Sequence, residues 1–213
     1  LVESRDRNAP MPDFNPSRLD LARRRRGMTK TALAEKAEVS TRILNAYVRN
    51  EKAPWPLTIV KLSEALDFPT EFFFGADLDE PPEASSFRAM SSLTASQTGR
   101  AFGSAAVALH LARWIGERFV LPEPNVPKLR GVDPEMAAEL VRDEWKIGQR
   151  SIRNLVHLLE QHGVRVFSLA EDGDAIDAFS FWRNGIPYVF LNTMKSPERS
   201  RQDAAHELGH LVM

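Results

Sequence analysis

The stretch His206-Glu207-Leu208-Gly209-His210 concentrates more chemistry than any other in the chain. On an α-helix, positions four apart share one face, one turn apart, so His206 and His210 can present two imidazole nitrogens to a single tetrahedral zinc ion. Glu207 stands beside them. A metal there lowers the pKa of a water it holds towards neutrality, and the carboxylate is then placed to take that water's proton. The chemistry on offer is metal-assisted hydrolysis. A catalytic zinc normally has three protein ligands, and the motif supplies two.

A second concentration is one of charge. The 213 residues carry 28 Lys and Arg against 29 Asp and Glu, a net charge of −1. Between Phe14 and Lys61 there are eleven basic and four acidic residues, a net of +7 that leaves −8 for the rest. Such asymmetry implies a basic module facing an anionic partner, joined to a neutral or acidic domain.

Length allows one to two domains, each able to bury a core. With no Cys there is neither a disulfide framework nor a thiolate metal site. No apolar run has the length of a membrane span, and the start lacks a signal-peptide core. The expected setting is soluble and cytoplasmic, with no membrane partner. Leu1 to Pro10 is polar, and residues 1–13 read as a disordered or non-native start outside the fold.

The elements that must position these residues are legible from caps and periodicity. Asn15-Pro16 opens a helix carrying Leu19, Leu21 and Ala22 among Arg18 and Arg23 to Arg26. Thr29 caps a second helix that buries Ala32, Leu33 and Ala37, and Ser40 caps a third with Ile43, Leu44 and Tyr47. Asn50 is a left-handed stop. Leu57 to Leu66 is helical through Ile59, Leu62 and Leu66, and Phe72 to Phe74 closes the unit. Two short helices joined by a tight turn inside five is helix-turn-helix organisation.

Asp77 to Glu83 and the residues to Ser92 have the Pro and charge content of a linker. Thr94 to Val120 turns helical, with Phe102, Ala105, Ala106, Leu109, Ala112, Trp114 and Ile115 at buried spacings and His110 a structural member of the stripe. Asp133-Pro134 begins a helix reaching Trp145. Ile152, Leu155, Val156 and Leu159 mark another, stopped by Gly163, with His157 and His162 as solvated helix-end residues. Strand patterns follow at Val164 to Leu169, Ala175 to Trp182 and Tyr188 to Asn192, and Asn184-Gly185 is a hairpin turn. Ser196-Pro197 caps the motif helix, with Ala204, Leu208 and Leu211 on its buried side and Gly209 permitting close approach of a neighbour.

Gly27 to Ser40, with the chain on through Pro54 to Phe74, resembles the Cro/cI (XRE) type of helix-turn-helix regulator. The resemblance makes Thr41, Arg42, Asn45 and Ala46 the outward face of the recognition helix, with Lys30 on a phosphate. This agrees with the physics of a helix entering the major groove by its first turns, where Arg is the commonest reader of guanine. Val48-Arg49-Asn50 stands where that family commonly has Glu-Asn-Gly.

Pro134 to Met213 is similar to the ImmA/IrrE zinc metallopeptidases, which are often fused to or paired with Cro/cI-type repressors. The likeness rests on Asn154 to Glu160, Gly163 to Val166, Asp177 to Ser180, Leu191-Asn192 and Ala205 to His210. It implies zinc on His206 and His210, Glu207 as the catalytic base, and a third, acidic ligand on a later helix. No residue here is assigned to that third ligand. Asp203, one turn before His206, is within reach of a metal but matches no family ligand.

The expected fold is mainly α with a small antiparallel sheet: a five-helix, lambda-repressor-like DNA-binding domain over residues 14–75, an acidic linker over 76–93, a connecting helical region over 94–132, and a zincin-like α+β domain over 133–213, read as truncated after the motif helix. The expected function is a homodimeric regulator of transcription that binds double-stranded DNA and whose second domain senses a signal or cleaves a protein or peptide substrate. On this reading zinc is held firmly only once a downstream acidic ligand is supplied, and the 213-residue chain is inactive. The alternative keeps the DNA binding and makes the second domain a non-catalytic sensor or dimerisation unit.

Overall fold

The computed structural model describes residues 14–81, 94–169 and 176–213. The expected disordered start, most of the expected linker and the Asp172-Gly173-Asp174 turn lie outside the described residues. Contacts divide the rest into two units: residues 14–80 with Thr94–Val107, and Pro81 with Ala108–Met213.

The first unit is helical: α1 (Pro16–Arg25), α2 (Lys30–Lys36), α3 (Thr41–Val48) and α4 (Pro56–Leu66), then a 3-10 turn at Thr70–Phe73 where a fifth helix was expected. Each of the first three begins on a side-chain cap: Asn15 accepts from the amides of Ser17 and Arg18, Thr29 from Ala32, and Ser40 from Ile43. Leu19, Leu33, Leu44, Leu62, Leu66 and Phe73 are fully buried at the centre. Ala32 is exposed, and Ala34 takes the buried place expected for it. The ends of the unit are tied by Phe14 bridging Phe74 and by Asn15 N–H donating to Phe73 O at 2.8 Å. α5 (Ala95–Gly116) contributes its residues through Val107 here, and passes α1 so closely that a Cβ on Gly103 would lie 2.7 Å from Arg25 Cα.

In the second unit α5 ends at Gly116, short of the expected Val120, because the chain turns into the proline-rich segment after it. Trp114 is 47% exposed and His110 is exposed, so neither joins the buried stripe. α6 (Pro134–Glu144), α7 (Leu155–Gln161) and α8 (Pro197–Val212) begin on Asp133, Asn154 and Ser196 caps. β1 (Arg165–Ser168), β2 (Ala178–Arg183) and β3 (Ile186–Leu191) form one sheet in the order β1-β3-β2.

The sheet is mixed, which corrects the expectation of a purely antiparallel one. β2 and β3 form the hairpin, with Asn184 and Gly185 both at positive φ as such a tight turn demands, whereas β1 runs parallel to β3. Among the described residues β1 and β2 are the two edges, so β3 must pair on both sides, and its run from Pro187 to Leu191 is buried throughout.

The two faces of the sheet differ. Val189, Leu191 and the partly buried Val166, Ala178 and Trp182 pack with α7 and α8. The other face carries Phe167, Phe179, Phe181, Tyr188 and Phe190, stacked across the strands, with Phe179 and Phe190 rings 4.5 Å apart and 10° from parallel. α8 is pinned at its far end by two donors: Trp182 Nε1 to Leu211 O at 3.0 Å and the Leu129 amide to Val212 O at 2.7 Å.

Candidate nucleic-acid interface and candidate metal centre

The turn between α2 and α3 explains how the helix expected to read DNA is presented. Ala37 ends α2, Glu38 takes φ 53°, Glu38 N–H reaches Glu35 O, and Val39 N–H reaches Ala34 O at 2.9 Å. This is the left-handed reversal that closes a helix and starts the next at once. α3 ends in the same way, with Asn50 at φ 59° and Glu51 N–H on Ala46 O at 2.9 Å. Asn tolerates the left-handed region, so the absence of Gly there leaves the turn intact.

Leu44 and Tyr47 hold α3 to the core, which leaves Thr41 and Arg42 exposed, and Asn45 and Ala46 partly so, on one arc of the helix. Arg49 lies on the same arc, one turn beyond Asn45, exposed and only 3.8 Å from Glu51. It was not among the expected contacts, although its spacing from Arg42 and Asn45 was available to show it. Lys30 is partly exposed at the start of α2.

α1 changes the meaning of the charge. Arg18 donates to Ala76 O and Phe72 O, Arg23 to Met28 O and Asp20, and Arg26 to Leu66 O and Asp67 O. Arg24 pairs with Asp20 and Glu80. Burial pushes the Arg25 guanidinium below its ordinary pKa, with Arg26 and Arg100 adding to the effect. These side chains brace the unit itself.

At the other end of the chain, α8 lies against β2 and β3 with Asp203, Ala204, Glu207, Leu211 and Val212 buried, and with Leu208 only partly so. Gly209 brings no neighbouring element close: a Cβ there would meet only Met213, at 3.7 Å. His206 and His210 face outward and Glu207 inward at 3% exposure, yet one ligand atom from each lies within 4.8 Å of the others. The imidazole Nε2 atoms of His206 and His210 are 3.0 Å apart.

Two nitrogens bound tetrahedrally to zinc sit about 3.4 Å apart, given bond lengths of about 2.0–2.1 Å. The imidazoles therefore need to open by only a few tenths of an ångström, and the donor set fits the ion. Asp203 stands outside this group. Its Oδ1 takes Arg199 Nε at 3.2 Å, and its Oδ2 is buried without a hydrogen-bond partner.

Ser180 is the neighbour that sequence reasoning did not single out. It sits on β2 opposite Val189, and its Oγ lies 2.7 Å from Glu207 Oε2. The period-2 pattern of β2, with Phe179 and Phe181 on one face, assigns Ser180 to the face of α8 and was the available signal. An apolar cavity of about 500 Å³ lies on the opposite side of α8, against α6 and α7, and is lined by Ala205, Leu208 and Val212 but not by His206, Glu207 or His210.

Residues 19–73 match the family model for a helix-turn-helix, and residues 159–213 match the peptidase M78 model, described as an IrrE N-terminal-like domain. The chain thus joins a segment similar to a DNA-binding helix-turn-helix to a segment similar to a peptidase-family domain. More closely, an XRE-type helix-turn-helix is followed in one chain by an IrrE/ImmA-like domain. No curated protein and no solved structure matches the chain. Among the described residues, no helix is long and apolar enough to cross a membrane.

Proposed function

We propose that the protein is a dimeric transcriptional regulator that binds a two-fold operator through α3 and whose second unit is a zinc-dependent peptidase acting on a protein substrate. Thr41, Arg42, Asn45 and Ala46 meet base edges and Lys30 a phosphate, with two copies of α3 on half-sites about one DNA turn apart. The observation that carries the peptidase reading is the split around α8, with two outward imidazoles converging on one point and a buried carboxylate beside them.

His206 and His210 are the residues that hold the zinc. The ion, when bound, supplies Lewis-acid polarisation of a peptide carbonyl and a water made acidic enough to attack it. Glu207 accepts the proton that this attack releases and passes it to the leaving amine. β2 is a sheet edge and carries the residue that touches Glu207, so an extended peptide added along β2 runs past the site.

The second reading, a non-catalytic sensor or dimerisation unit, is favoured by one observation: the described residues that converge here offer two imidazoles and the base, with no third ligand. The two are separated by supplying zinc-loaded wild-type protein and Glu207→Gln to a lysate of the source cells and mapping new protein N-termini by mass spectrometry. The peptidase reading expects termini that appear with wild type alone. Identical sets from both proteins leave the sensor reading.

A further inference from the structure

Glu207 is a carboxylate with almost no access to water, at 3% exposure, and such a group needs polar partners inside the protein. Among the described residues the one it has is Ser180. The hydroxyl Oγ is 2.7 Å from Glu207 Oε2 and 3.3 Å from the Glu207 carbonyl oxygen. A serine has one hydrogen to give, and the nearer, charged acceptor takes it. Glu207 Oε1 makes no hydrogen bond among the described residues.

Ser180 is itself fixed. Its backbone pairs with Val189 in the β2–β3 hairpin, and Trp182, two residues along β2, donates to Leu211 O, one helical turn beyond Glu207. Two residues of strand and four of helix advance by similar lengths, about 6–7 Å, so both bonds form in register.

We infer that Ser180 is a positioning residue for Glu207: it holds one carboxylate oxygen against the sheet so that the other is presented beside the two imidazole nitrogens. This rests on the reading of Glu207 as the base of a zinc site. A merely structural role, pinning α8 to β2, is the competing explanation, and Trp182 already performs that role nearby.

Acetohydroxamic acid separates the two, because it grips zinc through its oxygens and offers its hydroxyl hydrogen to an adjacent carboxylate, reporting where that carboxylate sits without any substrate. Titrated calorimetrically into the zinc-loaded protein, it should bind Ser180→Ala about tenfold more weakly than wild type, the loss expected when one charge-assisted hydrogen bond no longer orients the acceptor. Zinc affinity should stay within about twofold, since neither imidazole is touched.

Ser180→Thr, which restores the hydroxyl, should recover the binding, and Ser180→Ala should add nothing in a Glu207→Gln background. Unchanged acetohydroxamic acid affinity in Ser180→Ala, with a loss in Glu207→Gln, overturns the positioning role alone. Equal losses in the Ala and Thr variants assign the effect to packing and overturn it too. Wild-type affinity in Glu207→Gln, or no zinc uptake by the wild type even at saturating zinc, where two imidazoles alone should hold the ion loosely, refutes the reading of the site itself and takes the inference with it.

Discussion

Arg26 Nε lies 2.7 Å from Leu66 O, and one of its terminal nitrogens lies 2.8 Å from Asp67 O. The residue that closes the most basic helix, α1, therefore caps the carbonyl end of α4, where unpaired C=O groups and the negative end of the helix dipole favour a cation. Arg18 and Arg23 serve other carbonyls in the same way. The run Arg23 to Arg26, which in sequence suggests a surface waiting for phosphate, is largely internal scaffolding.

Arg26→Ala should accordingly act on stability. Removing a charged donor from two carbonyls costs about 2 kcal/mol at a partly exposed site. The check is the urea midpoint of the protein beside its affinity for operator DNA, measured well below the unfolding temperature. A large loss of affinity with an unchanged midpoint contradicts the scaffolding role.

The same bookkeeping sets the salt dependence of DNA binding. Eleven basic residues lie between Phe14 and Lys61, but among the described residues only Lys30, Lys36, Arg42 and Lys52 have neither an ion pair nor a hydrogen bond or burial within the unit. With a slope of about −0.9 per neutralised phosphate, log affinity against log salt should fall with a slope near about −4 per protomer, not near about −10.

On α3, Arg42→Ala should cost about 1–3 kcal/mol of discrimination between operator and random DNA if the guanidinium reads a base pair. Fluorescence anisotropy on both duplexes decides it. Equal losses on the two would reduce Arg42 to a phosphate contact.

Features written in local chemistry were legible before any coordinates. The caps Asn15, Thr29, Ser40, Asp133 and Ser196 all form, because a side-chain oxygen and the amides it accepts from are within three residues. Asn184-Gly185 makes its turn for the same reason. The pairing of β1 with β3 was not legible, since it joins residues more than twenty apart in sequence and leaves the pattern of either strand unchanged. The destinations of the α1 arginines were hidden likewise, as they depend on where distant carbonyls fall. At the metal motif the ligand spacing was readable, whereas the burial of Glu207 was masked by its charge. Its place three residues after Ala204 and four before Leu211 did assign it to the buried side.

Gly163 gives a test of a close approach. It stands at φ +79°, and a Cβ there would lie 2.3 Å from Glu123 O, a backbone atom with no freedom to swing away. Gly163→Ala should destabilise the second unit by about 3 kcal/mol or more, strain and clash together. Gly131→Ala has the same handedness, φ +78°, but nothing within 4 Å, and should cost about 1 kcal/mol. Similar chemical-denaturation midpoints for the two variants would refute the role given to Glu123.

His162 supplies a pH dependence. Its ring stacks on Trp145, 4.1 Å between centroids and 6° from parallel, and burial holds its pKa below the ordinary value of 6.5. The unfolded chain therefore takes up the proton more readily than the folded one. The stabilising contribution is complete above 6.5 and is lost as the pH falls through the lower folded value. The ring remains partly exposed, so the effect is small. Comparing urea midpoints at about pH 7.5 and about pH 5.5, His162→Gln should lose less on acidification than wild type. An equal loss in both would place the acid sensitivity elsewhere.

The metal centre yields the sharpest contrast, because its neighbouring residues are assigned different duties. His206→Ala removes one of two converging imidazoles and should weaken zinc binding by about a hundredfold or more, read by competition with a chromophoric chelator. Glu207→Gln spares both nitrogens and keeps the shape of the side chain. The Ser180 hydroxyl can rotate to accept from the new amide or continue to donate to its oxygen, so the helix stays seated on β2. Zinc affinity in this variant should therefore stay within about threefold of wild type, while any Glu207-dependent cleavage disappears. Should Glu207→Gln lose zinc as completely as His206→Ala does, the carboxylate is a ligand of the ion. The site would then be a three-ligand centre without a base at this position.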